Sequence, residues 1–338
     1  MKQTCCFGEL LIRYSPQLKG EWIRSQMMQT YIGGAELNVA YALAKWSMPV
    51  KYVTALPDHY LSKEIIEQLN AADIQTNGII LNGDRIGAYF LPQGADLKHA
   101  GVIYDRAGSA FANLQTGMID WTTVLKDSGW FHFSAISPAL NASAAAVCLE
   151  AVQQAKAMGL MVSVDLNYRS LLWRYGQNPA EVMRPFMPYC DIVMGNIWSA
   201  ATLLDIPFND ALLANANHDD YVLAAEQSAN NIMQQFPNVQ QVANTFRFTQ
   251  EEKVDYFATL HDQSGTTVAD LLTTNQVIDK VGSGDCFMAA LIRGIQLNQS
   301  ATYIINYAAT AAVGKLQEYG DHTKQSVAAI EAKMTSND

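Results

Sequence analysis

The sequence lacks long apolar runs and any excess of positive charge. No stretch of about 18 or more apolar residues occurs, so we expect no transmembrane helix and no membrane partner. The formal net charge is −10, and no Lys/Arg-rich segment is present. We therefore expect no nucleic-acid partner. With 338 residues, of which 49% are hydrophobic, the chain is long enough to bury a large core.

Residue patterns that hold metals or direct secretion are also missing. The five cysteines and six histidines show neither paired spacing nor a His-x-x-x-His motif. Residues 1–8 lack the apolar core of a signal peptide. These absences predict reduced, buried thiols in a cytoplasmic protein without a metal site built from side chains. Cys5 and Cys6 are adjacent, so they should face opposite sides of one strand.

Three common catalytic or cofactor motifs are absent as well. The chain contains no Walker A sequence and no Gly-x-Ser-x-Gly elbow. At the one Gly-x-Gly segment that precedes a predicted helix, Phe287 occupies the third glycine position of a dinucleotide fingerprint. These absences argue against a P-loop enzyme, an α/β-hydrolase and a dinucleotide-dependent enzyme.

What is present is a regular alternation of strand and helix patterns from residue 130 onward. Near-continuous apolar strands between helices are typical of a parallel sheet with helices on both faces. Extended segments at about 9–32 and 86–107 interrupt this order and predict a small sheet that stands off the main fold as a lid. We therefore expect one α/β domain over residues 1–338 with these lid strands inserted in it.

The segment 279–287 predicts a tight turn that leads into a helix. Gly282 and Gly284 let the backbone approach a ligand, and the first helix amides form an anion site. Asp285 places a carboxylate beside this anion site, which is useful if the carboxylate accepts a proton. The combination indicates phosphoryl transfer. The alternative is an ordinary loop in which Ser283 or Asp285 caps the helix.

Further polar residues occupy positions where ligands bind in open α/β sheets. Gly33 and Gly34 precede a predicted helix whose first turn carries Asn38, either facing a ligand or simply solvated. Other polar residues follow predicted strand ends, where such sheets bind their ligands. Arg106 and Arg169 could each clamp a carboxylate, although a lone arginine is more typical of a surface ion pair. Together they favour an acidic substrate.

The two glycine segments resemble the signature motifs of ribokinase-like (PfkB-type) carbohydrate kinases. Segments 104–110, 132–139, 165–169 and 320–322 are similar to those of 2-keto-3-deoxygluconate kinases, and the similarity extends over nearly the whole chain. The resemblance implies a ribokinase-like three-layer α/β/α sandwich with a mainly parallel central sheet and a small β-sheet lid. It also implies ATP-dependent phosphorylation of the terminal hydroxyl of 2-keto-3-deoxygluconate, which gives 2-keto-3-deoxy-6-phosphogluconate.

The resemblance assigns roles to the matching residues. Asp285 would act as the general base, and the amides of Gly282, Ser283 and Gly284 would form an anion hole. ATP and Mg²⁺ are the implied cofactors, and a monovalent cation remains an open question. The residues expected to bind the small acidic sugar are Gly34, Asn38, Tyr89, Tyr104, Arg106, Arg169 and Asp321. The residues expected near the nucleotide are Asn167, Asn196 and Arg247.

Two departures from the family pattern lie on the nucleotide side. Many relatives carry Asn-x-x-Glu, whereas here Asn196 is followed by Ser199 at the glutamate position. The segment 245–249 also lacks the usual glycine, and we expect Arg247 to reach a phosphate instead. Alternatives therefore stay open: a kinase for fructose or 2-keto-3-deoxygalactonate, or a catalytically silent sugar- or nucleotide-binding protein.

The predicted lid carries apolar and aromatic residues that need cover. Ile12, Tyr14, Trp22 and Met27 lie in its first extended segment. Exposed apolar surface of this kind is often buried between copies of a chain. We therefore expect a homo-oligomer, at least a dimer, that assembles through the lid.

Overall fold

The strands form one large sheet and two small ones in the computed structural model, which describes residues 2–16, 23–24, 26–92, 101–208, 216–250 and 253–335. The strands are β1 (Gln3–Phe7), β2 (Leu11–Ser15), β3 (Gln29–Gly33), β4 (Val50–Val53), β5 (Ala55–Leu56), β6 (Ile74–Gln75), β7 (Ile80–Leu81), β8 (Gly87–Phe90), β9 (Ile103–Asp105), β10 (Ser128–Ser134), β11 (Met161–Asp165), β12 (Ile192–Gly195), β13 (Gln241–Gln250), β14 (Lys253–Asp262), β15 (Gly265–Val268) and β16 (Leu272–Thr274). The helices are α1 (Ala35–Lys45), α2 (Tyr60–Ala71), α3 (Trp121–Leu125), α4 (Ala142–Ala157), α5 (Pro179–Met183), α6 (Ile197–Leu204), α7 (His218–Gln235), α8 (Ser283–Gln296), α9 (Ala301–Leu316) and α10 (Val327–Thr335). A 3₁₀ helix, Arg184–Tyr189, continues α5.

The large sheet has the strand order β15-β14-β13-β12-β11-β10-β1-β4-β6, with β16 paired to β14. The strands from β13 to β6 run parallel, whereas β14 is antiparallel to β13, β15 and β16. Parallel strands need a covering layer on each face, because each crossover places its helix there. The predicted mainly parallel three-layer sandwich is confirmed.

Two separate apolar cores cover the two faces of this sheet. One core contains residues of α1, α8 and α9, and the other contains residues of α4 and α6. The adjacent residues Cys6 and Cys5 belong to the first and second core respectively, as strand alternation requires. All five cysteines are buried and free, which agrees with the expected reduced thiols.

The lid segments form a four-stranded sheet with the order β3-β2-β8-β9. Strand β2 is antiparallel to β3 and parallel to β8, and β8 is antiparallel to β9. Ile23 and Met27, in the connection between β2 and β3, are 83% and 79% exposed, whereas Ile12 and Tyr14 are half-buried. Trp22 lies outside the described residues.

Strand β13 is 10 residues long. It continues to Gln250 because β14 pairs with it from Val242–His261 to Gln250–Lys253. Within this hairpin, the rings of Phe246 and Phe257 stack with centroids 4.8 Å apart. Among the described helices, none is long and apolar enough to cross a lipid bilayer.

Candidate active site

A cavity of ≈ 570 Å³ lies at the carboxyl ends of the central strands and reaches the lid sheet. Its lining includes both glycine segments, although they are far apart in the sequence. The predicted residues that line it are Gly34, Asn38, Tyr89, Tyr104, Arg106, Asn167, Arg169, Asn196, Arg247, Gly282, Ser283, Gly284 and Asp285. Of the residues predicted for the site, only Asp321 is not part of the lining.

The second glycine segment forms the turn that starts α8. Gly282 is the N-cap residue, with φ +79°, and no side chain caps the helix. A Cβ atom at this position would lie 1.8 Å from the carbonyl oxygen of Asp321, so only glycine fits. The hydroxyl of Ser283 donates to the carbonyl of Ala312, at 2.9 Å. Ser283 and Asp285 are therefore not caps, and the first amides of α8 remain available to an anion.

Asp285 lies in the first turn of α8 and faces α1. Its side chain is 9% exposed, and its Oδ2 accepts a hydrogen bond of 2.7 Å from Nδ2 of Asn38. Burial raises the pKa of Asp285 to about 7; the Asn38 hydrogen bond opposes this rise and the Glu36 charge adds to it. A carboxyl with a pKa near neutrality suits a general base. Asn38 is 4% exposed, so it is not a solvated helix residue.

Asp165 is a site residue that the sequence analysis did not single out. It ends β11, lines the cavity and is 7% exposed. Burial raises its pKa to about 8, the negative charge of Asp285 adds to the rise, and the positive charge of Arg169 opposes it. Arg169 also lowers the pKa of Asp285. Asp165, Asp285 and Arg169 therefore influence one another's charge within the cavity. The strand-end position of Asp165 was the signal that could have identified it from the sequence.

Behind the lid end of the cavity lies another buried carboxylate, Glu9. Nε of Arg106 donates to Oε2 of Glu9 at 2.5 Å, and the hydroxyl of Ser109 donates to Oε1 of the same group. Arg106 is thus held in place from behind while it lines the cavity. Gly34 has φ +141°, and a Cβ there would lie 2.3 Å from the carbonyl oxygen of Glu9. Close backbone packing therefore explains the first glycine segment.

Four buried polar atoms on the cavity-lining residues have no hydrogen-bond partner in the described part of the chain. They are Oδ1 of Asn38, Nη1 of Arg106, Nε of Arg169 and the hydroxyl oxygen of Tyr256. Buried polar groups are nearly always paired, because leaving one unpaired costs about 1–3 kcal/mol. One acceptor and two cationic donors are therefore available for a polar, acidic ligand.

Asp321 lies behind the cavity wall, where the resemblance implied a direct substrate contact. It is 1% exposed, and its Oδ2 accepts a hydrogen bond of 2.6 Å from the hydroxyl of Tyr89. Its Oδ1 lies 3.3 Å from Nη1 of Arg13, whose Nη2 lies 2.5 Å from Oδ2 of Asp279. Asp321 therefore orients Tyr89, which does line the cavity.

The ends of β12 and β13 form another part of the cavity wall. Asn196 caps α6, with its Oδ1 accepting a hydrogen bond of 2.8 Å from the amide of Ser199. The residue at the family glutamate position is thus held by the cap and lines the cavity. Arg247 lies on β13 opposite Tyr256 of β14, and both residues line the cavity.

No cluster of three or more His, Cys, Asp or Glu side chains suited to a metal occurs within the described residues. Mg²⁺ does not require such a cluster, because it usually keeps several waters and binds substrate phosphates and one or two carboxylates. Asp165, Asn167 and Asn196 supply oxygen atoms along the cavity wall. This donor set fits a phosphate-bound Mg²⁺.

Comparisons with known proteins agree with this geometry. The chain is 25% identical over 316 residues to a 2-dehydro-3-deoxygalactonokinase of Haloferax volcanii, covering 93% of this chain and 91% of that protein. The crystal structure of 2-dehydro-3-deoxygluconokinase from Thermotoga maritima superposes with a TM-score of 0.89 at 29% identity, covering 99% of this chain and 100% of that one. A PfkB family carbohydrate kinase from Listeria grayi superposes with a TM-score of 0.85 at 26% identity, covering 99% and 100%.

The model of the family described as pfkB family carbohydrate kinase matches residues 1–327. This match spans nearly the whole chain and includes both glycine segments. The chain belongs to the pfkB family of carbohydrate kinases.

Proposed function

We propose that the protein transfers the γ-phosphoryl group of ATP to the terminal hydroxyl of 2-keto-3-deoxygluconate. The product is 2-keto-3-deoxy-6-phosphogluconate. The family supplies the reaction class, and the names of the Thermotoga maritima and Haloferax volcanii relatives point to a deoxy sugar acid. One kinase domain over residues 1–338 would carry the reaction, with the lid sheet inserted in it.

The unpaired hydrogen-bond donors of Arg106 and Arg169 support the proposal of an acidic substrate. Arg106 is buried and its Nη1 has no partner among the described residues, although Glu9 already holds its Nε. Arg169 presents a similarly unpartnered Nε. A neutral sugar would leave both cations without a counter-charge from the ligand, whereas a carboxylate could accept hydrogen bonds from both.

The proposed reaction uses Asp285 and the turn before it. Asp285 takes the proton of the terminal hydroxyl, and the hydroxyl oxygen then bonds to the γ-phosphorus while the bond to the ADP oxygen breaks. The amides of Gly282, Ser283 and Gly284 would stabilise the charge that develops on the phosphoryl oxygens. Asn38 fixes the orientation of the Asp285 carboxylate through its hydrogen bond.

ATP would occupy the side of the cavity lined by Asn167, Asn196 and Arg247. Mg²⁺, when bound, neutralises charge on the phosphates. Asp165, Asn167 and Asn196 would hold it, directly or through water.

A second candidate is 2-keto-3-deoxygalactonate, which differs from the gluconate compound in configuration at one carbon. The name of the Haloferax volcanii relative favours it. Both compounds carry the same carboxylate and the same terminal hydroxyl, so the proposed roles of Arg106, Arg169 and Asp285 apply to either. Relative kcat/KM values for the two acids decide between them.

The decisive experiment is a coupled ADP-release assay over a panel of sugars and sugar acids, with wild type beside Asp285→Asn. We expect turnover with a 2-keto-3-deoxy sugar acid and a loss of roughly a hundredfold or more in the variant. Absence of ADP release with every sugar acid would refute the proposal. Equal activity in the variant would show that Asp285 is not the base.

We also propose that copies of the chain associate through the lid sheet. Ile23, Met27 and Ile103 are 83%, 79% and 54% exposed on this sheet and its connections. Burying such side chains between copies would stabilise the association by about 25 cal/mol per Å² of apolar surface removed from water. Sedimentation at micromolar concentration should give at least a dimer, and a monomer there would contradict this proposal.

A further inference from the structure

Lys315 is an unusual residue because it is fully buried behind the active-site turn. It lies in the last turn of α9 and its side chain is 0% exposed. Lysine is almost never buried to this extent unless its charge is compensated. Nζ of Lys315 donates a long hydrogen bond, 3.4 Å, to the carbonyl of Glu318. This bond alone does not explain why a lysine occupies the position.

The location of Lys315 connects it to the glycine turn. Its Cε atom would lie 3.4 Å from a Cβ placed on Gly282. The adjacent residue, Leu316, accepts backbone hydrogen bonds from the amides of Ile278 and Asp279, at 2.7 and 3.2 Å. The end of α9 therefore supports the turn from the side opposite the cavity.

The two buried aspartates near Lys315 require a second positive charge besides that of Arg13. Asp279 and Asp321 are each 1% exposed, and Arg13 is ion-paired with both. One guanidinium compensates only one of two buried negative charges. Burial lowers the pKa of Lys315, while the charges of Asp279, Glu318 and Asp321 act in the opposite direction. Arg13 and Lys315 together match the two aspartates in number and sign.

The carboxylate oxygens of the two aspartates are contacted mainly by protein groups. Asp279 is bound to Arg13 and to the amide of Val281, which donates to its Oδ1 at 3.1 Å. Oδ2 of Asp321 accepts a hydrogen bond from the hydroxyl of Tyr89, and its Oδ1 lies 3.3 Å from Nη1 of Arg13 without a hydrogen bond. The buried ammonium group of Lys315 can therefore supply the second positive charge that a free monovalent cation would otherwise supply.

We propose that Lys315 is a positioning residue that serves as a built-in cation behind the glycine turn. It compensates the second buried aspartate and holds the turn that carries the proposed anion hole. The kinase therefore needs no added K⁺, Na⁺ or NH₄⁺. This inference rests on the proposed phosphoryl transfer at that turn.

The test compares wild type and Lys315→Met in tetramethylammonium, potassium and ammonium chloride at equal ionic strength. Methionine keeps most of the side-chain volume and removes the charge. Wild-type kcat should agree within about twofold in the three salts, because the ammonium group of Lys315 provides the positive charge as part of the chain. Lys315→Met should lose kcat by about tenfold or more in tetramethylammonium chloride and regain part of it in ammonium or potassium chloride. Its KM for the sugar should change little.

Thermal unfolding in the same three salts provides a readout that needs no substrate. The Tm of Lys315→Met should be lowest in tetramethylammonium chloride and rise with ammonium or potassium, while wild-type Tm stays constant. If no sugar is phosphorylated, the proposed function fails, but this salt pattern still tests Lys315. The control Lys63→Met removes a lysine that is 67% exposed and should match wild type in every salt.

Two results would overturn the inference. One is a wild-type enzyme that loses most of its activity or Tm when potassium is replaced by tetramethylammonium. That measurement needs no variant, so it stands even if Lys315→Met does not fold. The other is a Lys315→Met enzyme with wild-type kcat and Tm in tetramethylammonium chloride.

Discussion

The two sides of the glycine turn at 279–285 differ in how fully nearby cations compensate their buried carboxyl groups. On the cavity side, burial raises the pKa values of Asp285 and Asp165 to about 7 and about 8, and Arg169 is the cation that lowers both. On the far side, Asp279 and Asp321 face Arg13, and Lys315 adds a second positive charge. Buried carboxyl groups whose negative charge is only partly compensated can gain or lose a proton near neutral pH. Buried carboxylates whose charge is fully compensated stay ionised and form a rigid support for the turn.

Removing the far-side arginine should have the largest effect on stability. Arg13→Met leaves Asp279 and Asp321 buried without their main cation, which typically costs about 3–5 kcal/mol. Urea unfolding should show this loss in the free energy of unfolding. Breaking the exposed Lys63–Asp58 pair with Lys63→Met should cost less than about 1 kcal/mol. Equal losses in the two variants would show that Arg13 does not compensate a buried charge.

A cavity-side arginine should instead affect substrate binding. Arg169→Met should raise KM for the sugar acid by roughly 10- to 100-fold, because a charge-assisted hydrogen bond contributes about 1.5–3 kcal/mol. Steady-state kinetics at about pH 9, where Asp285 is ionised, separate this effect from the general base. The control Arg85→Met removes an arginine that is 37% exposed and paired with Asp105. An unchanged KM in Arg169→Met would favour a neutral sugar as the substrate.

The pH dependence of kcat should reveal the raised pKa of Asp285, whose negative charge is only partly compensated. A general base works when deprotonated, so kcat should rise with pH through the pKa of about 7. Asn38 lowers this pKa, so Asn38→Ala should move the rising limb to higher pH by about 1 unit. The plateau kcat should also fall, because Asp285 loses the hydrogen bond that orients it. A limb near pH 4 in wild type, or a shift to lower pH in the variant, would contradict the assignment.

The smallest effect is expected at the nucleotide end of the cavity. Arg247→Ala should raise KM for ATP by about 3- to 10-fold, because the variant loses one proposed hydrogen-bonded contact to an ATP phosphate. KM for the sugar should stay constant. Lys253→Ala, on the paired strand β14 and 49% exposed, serves as the control. An unchanged ATP KM would show that Arg247 does not replace the missing glycine loop.

The two glycine segments were predictable because their chemistry is local in the sequence. A turn glycine, the helix amides and Asp285 lie within a few residues, and strand-end position identified Asn167 and Asn196. The parallel arrangement of the central strands followed from their apolar pattern. The resemblance supplied the lid residues Tyr89 and Tyr104, and the structure brings both to the cavity.

The remaining features depend on contacts between distant segments, which a single sequence does not specify. Asp165 gains its raised pKa from burial and from the charge of Asp285, which lies near it only in the folded chain. The pairing of Arg106 with Glu9 and the placement of Asp321 behind Tyr89 require the lid sheet to be assembled. Whether a polar side chain points toward a cavity or away from it is fixed by this packing rather than by local pattern.

The carbonyl oxygen of Asp321, a main-chain atom, fills the space that a Cβ on Gly282 would need. Replacing Tyr89 or Tyr104 does not remove this atom, whereas Arg13 on β2 ties the lid to Asp279 and Asp321. Tyr89 and Tyr104 lie on β8 and β9, separate in the chain from the helix that carries Asp285. We therefore expect that substrate choice can diverge through exchange of Tyr89 and Tyr104 while Arg13 and the turn at 279–285 stay unchanged.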